Sequence, residues 1–291
     1  MLLASSENRI GASSVRSTLL FERAVRGTLV RREQLAFDTR FAAAASGKLE
    51  PVGHLFLMLA GHYVSDRGEQ LDGPVAFMLA DDEWERRGTH SRTFRTDGPR
   101  VDVVQLRIAT QHLRVPIGLD AGALAIPDAC WDATRALLEN VPDAAALARL
   151  VDELARAGVV AGSVTSTVID DEPERFRRLW SALEPLYREY GATASLKQLA
   201  GSLDMSMRQV GRDAKELSAA FGIGGGYRDA LLVLRLRMAV LLLAARDAAV
   251  ADVAKLVGYG SPIAMARAFR DAKLPPPSMI QSELAAASNK I

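Results

Sequence analysis

The sequence predicts an α+β protein, with a β-rich barrel and flanking helices first and an all-α region last. Three observations carry that expectation. Short apolar runs separated by Gly, Asp and Pro clusters fill residues 28–108, as in a sandwich or small barrel. From Pro127 to Tyr190 apolar residues recur at helical spacing instead. Residues 195–277 then hold two helix-turn-helix patterns joined by one long apolar helix.

Residues 1–20 are rich in Ser and Ala with little period, and a loose tail is expected there. In the β-rich segment, 21–126, Thr28–Phe37 alternates loosely and Leu55–Ala60 and Val75–Ala80 are apolar runs. Val101–Ile108 alternates as V-D-V-V-Q-L-R-I. Turn signals separate them: Ser65-Asp66-Arg67-Gly68, Leu71-Asp72-Gly73-Pro74 and Thr96-Asp97-Gly98-Pro99. His54, His62, His90 and His112 form no H-x-H pair, and a metal centre needs three or four converging ligands, so no metal is expected. Asp81, Asp82, Glu83 and Glu85 read as a solvated loop rather than as paired acid–base carboxylates. No nucleophile motif or phosphate-cradling loop occurs, so neither a catalytic residue nor a cofactor is expected, and the chain is not read as an enzyme. Gly222–Gly226 follows a helix rather than a strand and reads as a helix end and turn.

Residues 127–190 predict three helices. Trp131, Ala133, Leu137 and Leu138 lie on one helix. Ala145, Leu147, Leu150, Val151, Leu154 and Ala155 lie on another, and Phe176, Leu179, Trp180, Leu183 and Leu186 recur at helical spacing on a third, each with an apolar face. Such faces either form a dimer seam or cover the open side of the β-rich segment. The pattern fits both.

The last region, 191–284, carries the strongest signals. Ser195 and Gln198 are spaced as a capping box, and Leu196, Leu199, Ala200 and Leu203 make one buried stripe. Asp204 occupies the turn, where Asp tolerates a left-handed backbone. Ser206 and Gln209 repeat the capping-box spacing and open a helix bearing Arg208, Gln209 and Arg212. Tyr227–Ala245 reads as one helix, with Arg235 and Arg237 bracing it or reaching phosphate. Then Val250, Val253, Ala254 and Val257 form a second stripe, Gly258 makes the turn, and Ser261-Pro262 is an N-cap followed by Pro at the first helical position. Arg267 and Arg270 lie on the helix that follows, and residues 285–291 read as frayed.

Charge agrees with this division. Residues from 191 onward contain 13 Lys and Arg against 8 Asp and Glu, whereas the whole chain is only +1, which leaves the first 190 residues acidic. A basic end beside an acidic one suits nucleic-acid binding at one end only. Cys130 stands alone, so an internal disulfide is excluded. No apolar run approaches the ~20 residues of a membrane span, and no signal-peptide pattern opens the chain. A cytoplasmic location and no membrane partner are expected.

The segments S-L-x-x-L-A at 195–200, M-S-x-R-x-V-x-R at 205–212, R-L-R at 235–237, V-A-x-x-V-G-Y at 253–259 and R-A-F-R at 267–270 resemble the DNA-binding domain of the AraC/XylS family of bacterial transcription regulators. The resemblance covers about a third of the chain. It implies a degenerate cupin-like barrel at 21–126 as a sensor domain, with the order Gly61, Gly73-Pro74, His90 following a cupin's hairpins. It implies double-stranded DNA as the partner, a homodimer, a small-molecule effector and contact with RNA polymerase. The site residues it implies are Ser206, Arg208, Gln209 and Arg212 in the first unit and Ser261, Arg267 and Arg270 in the second. The chain departs from the family at Ala214, usually aromatic, at Ile263 and Ala264, usually polar, and at the ending Lys273-Leu274-Pro275-Pro276-Pro277. Gly211 offers no side chain. The first unit is therefore expected to read bases and the second mainly to grip phosphate.

Overall fold

The computed structural model describes residues 1–22, 25–43, 51–65, 69–80, 94–117, 123–164 and 173–288. The acidic run 81–85 and His90 lie outside the described residues.

The fold is α+β, a curled antiparallel sheet followed by helices. The first two strands, β1 (Leu2–Ile10) and β2 (Ser13–Phe21), form a hairpin where a loose tail was expected. Gly11 takes a positive φ of 56° in the two-residue turn, the backbone that a tight hairpin demands. Small Ser and Ala residues hide the period in the sequence, yet Leu2, Ala4, Ser6 and Ile10 all face inward. Packing rather than propensity decides this strand.

The remaining strands are β3 (Val25–Glu33), β4 (Phe37–Asp38), β5 (Val52–Ser65), β6 (Gln70–Asp72), β7 (Val75–Ala80) and β8 (Phe94–Ala109). They run in the order β1-β2-β3-β8-β5-β6, with β4 on β8 and β7 on β5. The apolar run at 55–60 is thus the middle of β5, and that at 101–108 the second half of β8, two longer strands that pair. Register shifts between Met58 and His62 bend β5, so that its first half pairs β7 and its second half pairs β6.

One sheet face is covered by α1 (Asp128–Glu139) and α2 (Ala144–Arg156). Leu20, Leu29, Leu55, Leu57, Val104 and Leu106 meet Leu137, Leu147, Leu150 and Leu154 there in one cluster. These two helices therefore cover the sheet within the chain, one of the two roles their pattern allowed.

The other face of the first hairpin carries the rest of the chain. Helix α3 (Glu174–Arg188) packs on β1, and its Trp180 indole donates to the Leu3 carbonyl at 3.0 Å. Beyond it come α4 (Leu196–Leu203), α5 (Met207–Ala220), α6 (Tyr227–Leu243), α7 (Val250–Leu256), α8 (Pro262–Asp271) and α9 (Pro277–Ser288). Residues 285–288, expected to fray, continue α9, whose Ile280 and Leu284 are anchored in the core.

No hydrophobic boundary separates this helical region from the hairpin. Leu2, Ala4, Val15 and Phe21 share one cluster with Trp180, Leu217, Phe221 and Leu236. Phe221 stacks on Trp180 at 4.8 Å and lies 5.5 Å from Phe21. Polar ties cross the same seam: Arg237 donates to the Ala43 carbonyl at 3.2 Å, and Arg40 pairs with Glu283 at 3.1 Å. Helix α6 is accordingly buried nearly all round, as its almost unbroken apolar sequence requires.

Candidate nucleic-acid interface

Two short helix pairs, α4–α5 and α7–α8, stand at opposite ends of α6 in the chain, and they are built alike. Each begins with a buried stripe: Leu199, Ala200 and Leu203 in α4, and Val253, Ala254 and Val257 at the corresponding place. Each turn then uses a left-handed residue, Asp204 at φ 52° and Gly258 at φ 82°. The amide of Met205 returns to the Ala200 carbonyl at 3.0 Å, and that of Tyr259 returns to Ala254 at 2.8 Å. The second turn is one residue longer.

The second helix of each pair starts on a serine. Ser195 and Gln198 form a complete capping box on α4, but the box expected at Ser206 is only half made. Ser206 Oγ accepts from the Gln209 amide at 3.2 Å, and the return bond from the Gln209 side chain is absent. That leaves the Gln209 amide group exposed at the start of α5. Ser261 caps α8 in the same way, accepting from the Ala264 amide at 3.1 Å, with Pro262 at the first helical position.

Counting from these caps puts the two helices in register. Val210 matches Met265 and Ala214 matches Phe269, and all four are fully buried. The opposite face is exposed in both: Arg208, Gln209, Arg212 and Lys215 on α5, and Ile263, Ala264, Arg267 and Arg270 on α8. All the residues expected to face DNA except the two capping serines thus lie on outward faces. Ser206 is exposed and Ser261 half-buried, and each is engaged in its cap.

Two of these arginines lie beside a carboxylate. Arg212 Nε donates to the buried Asp213 carboxylate at 3.2 Å, while its side chain stays 69% exposed. Arg175 of α3 reaches the same carboxylate at 3.7 Å and Glu216 at 2.6 Å, which ties α5 to α3. On α8, Arg270 lies 3.7 Å from Asp271. Arg235 turns away from this surface and donates to the Ala192 carbonyl at 3.2 Å. Arg235 and Arg237 thus brace the interior, one of the two roles their sequence positions allowed.

Ala214, where an aromatic residue was expected, sits fully buried beside α3, whose Phe176 and Trp180 belong to the same cluster. Arg178 of α3 donates to the Leu203 carbonyl at the end of α4. Lys215 was not singled out from the sequence; its match to Arg270 emerges only when the two caps are aligned. Among the described residues no group of three or more His, Cys, Asp or Glu is arranged to hold a metal ion. His54 is buried and pairs with Gln105 at 2.8 Å, whereas His62 pairs with Asp72 at 2.6 Å on the surface. Among the described residues no helix is long and apolar enough to cross a membrane.

No family model and no curated protein matches the chain. Several solved structures align with it. ToxT from Vibrio cholerae aligns over 88% of this chain and 98% of its own, at 8% identity and a TM-score of 0.37. The AraC-like transcriptional activator CuxR aligns over 81% of this chain and 85% of its own, at 10% identity and a TM-score of 0.32. A DNA-binding transcriptional dual regulator from Escherichia coli K-12 aligns over 40% of this chain and 97% of its own, at 20% identity and a TM-score of 0.32.

Proposed function

We propose that this chain is a sequence-specific, double-stranded-DNA-binding transcription regulator of AraC/XylS type, and not an enzyme. Its two recognition helices, α5 and α8, enter successive major grooves about one helical turn apart. One observation carries the proposal. The two helix pairs repeat the same stripe, turn, cap and buried positions, and both turn a face bearing basic side chains to solvent.

Arg208, Gln209 and Arg212 meet base edges from α5. Arginine pairs with guanine O6 and N7, and glutamine with adenine N6 and N7. Asp213, by accepting the hydrogen bond from Arg212 Nε, orients the guanidinium so that its terminal nitrogens face outward as a fork. Arg267 and Arg270 supply phosphate contacts from α8, and Ser261 holds the first turn of that helix against the backbone.

The sheet region acts as the regulatory part, with a small-molecule effector as its signal. The shared cluster of the β1–β2 hairpin with α3, α5 and α6 supports that role, because a shift in the hairpin is felt by the helices packed on it. A homodimer and contact with RNA polymerase complete the assembly. A cytoplasmic location follows from that function.

A salt titration of fluorescence anisotropy on labelled DNA from upstream of the protein's own gene, against a scrambled duplex, tests the proposal. Selective binding that weakens steeply with salt is expected. Equal, weak binding to both duplexes refutes it.

One observation favours a second role, docking to another protein: Ile263 is 74% exposed at the start of α8. Loss of discrimination between the two duplexes, with retained binding to a protein partner, is the outcome that role requires.

A further inference from the structure

The two recognition faces match position by position except at their first turn. Two residues past the cap stands Arg208 in α5 but Ile263 in α8, and at the third position Gln209 gives way to Ala264. The later positions keep their charge: Arg212 matches Arg267, and Lys215 matches Arg270. The change to apolar residues is confined to the first turn of the exposed face.

The protein interior does not account for that change. Ile263 is 74% exposed and Ala264 is exposed beside it, while Met265 and Phe269 fill the core from the opposite side of the helix. An isoleucine offers neither donor nor acceptor. Against a guanine, adenine or cytosine edge it would strip water from polar atoms and return nothing. Along the major groove a single base presents an apolar group, the C5 methyl of thymine.

From this geometry we infer that α8 reads thymine methyl groups through Ile263 and Ala264, so that the DNA element is composite. One half is read through purine edges by Arg208, Gln209 and Arg212. The other is rich in thymine, with Arg267 and Arg270 gripping the flanking phosphates. The inference rests on the DNA-binding function proposed above and names what its second half recognises. The basic residues on the same face make a duplex, rather than another protein, the occupant: Arg267 and Arg270 follow, exposed, on later turns of α8.

The test uses the full chain. A randomised duplex pool is selected on it, and the recovered element is resynthesised with deoxyuridine for thymidine in one half at a time. Uracil keeps the pairing and the O4 acceptor and lacks only the methyl. Each methyl removed from the α8 half is expected to weaken binding about fourfold, the equivalent of ~0.8 kcal/mol for one buried methyl. Replacement in the α5 half is expected to leave affinity nearly unchanged. Ile263→Ala should bind the thymidine element more weakly than wild type and distinguish it less from the deoxyuridine one, the remaining difference falling to Ala264. Ile263→Asn should lose the distinction at the Ile263 position altogether. Ile263→Val should retain the distinction. Arg208→Ala should lose the purine half yet stay sensitive to uridine in the other. Because Ile263 is exposed, these variants keep the wild-type melting temperature, which is checked first.

Indifference to uridine, with an arginine-dependent half still selected, overturns the thymine reading alone. Failure to recover any sequence overturns the DNA-binding function with it. If Ile263→Ala abolishes self-association in sedimentation and leaves DNA affinity intact, the face belongs to a second copy of the chain and the inference falls.

Discussion

Gly258 carries the turn of the second helix pair and also touches the joint between α3 and α4. Its φ of 82° lies in the left-handed region, and a Cβ there would come within 2.2 Å of the Tyr190 carbonyl oxygen. Gly258→Ala therefore meets two costs. The left-handed backbone costs an L-residue ~1–2 kcal/mol. Forcing a methyl into backbone that is already in contact costs a further ~1–3 kcal/mol. Together they give about 2–5 kcal/mol, and at about 2–4 °C per kcal/mol this lowers Tm by roughly 4–20 °C. Gly260, two residues on, has open space around its Cβ position and no positive φ. Gly260→Ala is expected to change stability by less than about 0.5 kcal/mol. Chemical denaturation of both variants with wild type gives the comparison directly. Since the added methyl pushes the α7–α8 turn away from Tyr190, Gly258→Ala should also weaken the thymine-rich half of the element before the purine half. Equal stability of the two variants would refute both the turn geometry and the close approach to Tyr190.

Arg212→Ala is expected to cost roughly 1–3 kcal/mol of specific binding and to leave binding to scrambled DNA little changed, as measured by anisotropy at fixed salt. Trp180→Phe removes the bond to the Leu3 carbonyl from the seam between α3 and β1, at a cost of ~1 kcal/mol in a urea titration. Burial pushes the Tyr187 phenol up to about 12, against an ordinary ~10 in the unfolded chain. The folded value is the raised one, so this tyrosine's contribution is fully present below about pH 10 and disappears between about pH 10 and 12, a loss of up to about 3 kcal/mol. The stability difference between wild type and Tyr187→Phe should therefore change across that window and stay constant below it. A constant difference up to about pH 12 would show that Tyr187 is not shielded from water.

The caps and stripes of the helical region could be read directly from the chain, because a helix N-cap and a 3.6-residue period are local. Ser195, Ser206, Ser261 and Pro262 stand where the sequence places them, and Asp204 adopts the left-handed turn expected of it. The strand cores at 55–60, 75–80 and 101–108 were legible for the same reason, though not their full lengths. Long strands are set by their partners: β5 beyond its apolar run pairs the first residues of β8, His62 to Ser65 against Asp97 to Phe94.

The first hairpin shows where local signals end. Its Ser and Ala residues have no period strong enough to announce a strand, and β1 exists because β2 pairs it and α3 covers it. The seam between hairpin and helices is equally invisible in one dimension, since Phe21, Trp180 and Phe221 are far apart in the chain and meet only in the fold. The register of α5 on α8 lies between these cases. Its caps, Ser206 and Ser261, are in the sequence and counting from them gives the alignment, but only the fold shows that the matched positions Val210 and Met265, and Ala214 and Phe269, are all buried. The sequence by itself determined the helical periods, the caps, the turn residues and the basic faces, because each depends on neighbours within a few positions. Tertiary structure alone decided that β1 is a strand and that Arg237 braces the core, because each depends on contacts between distant segments.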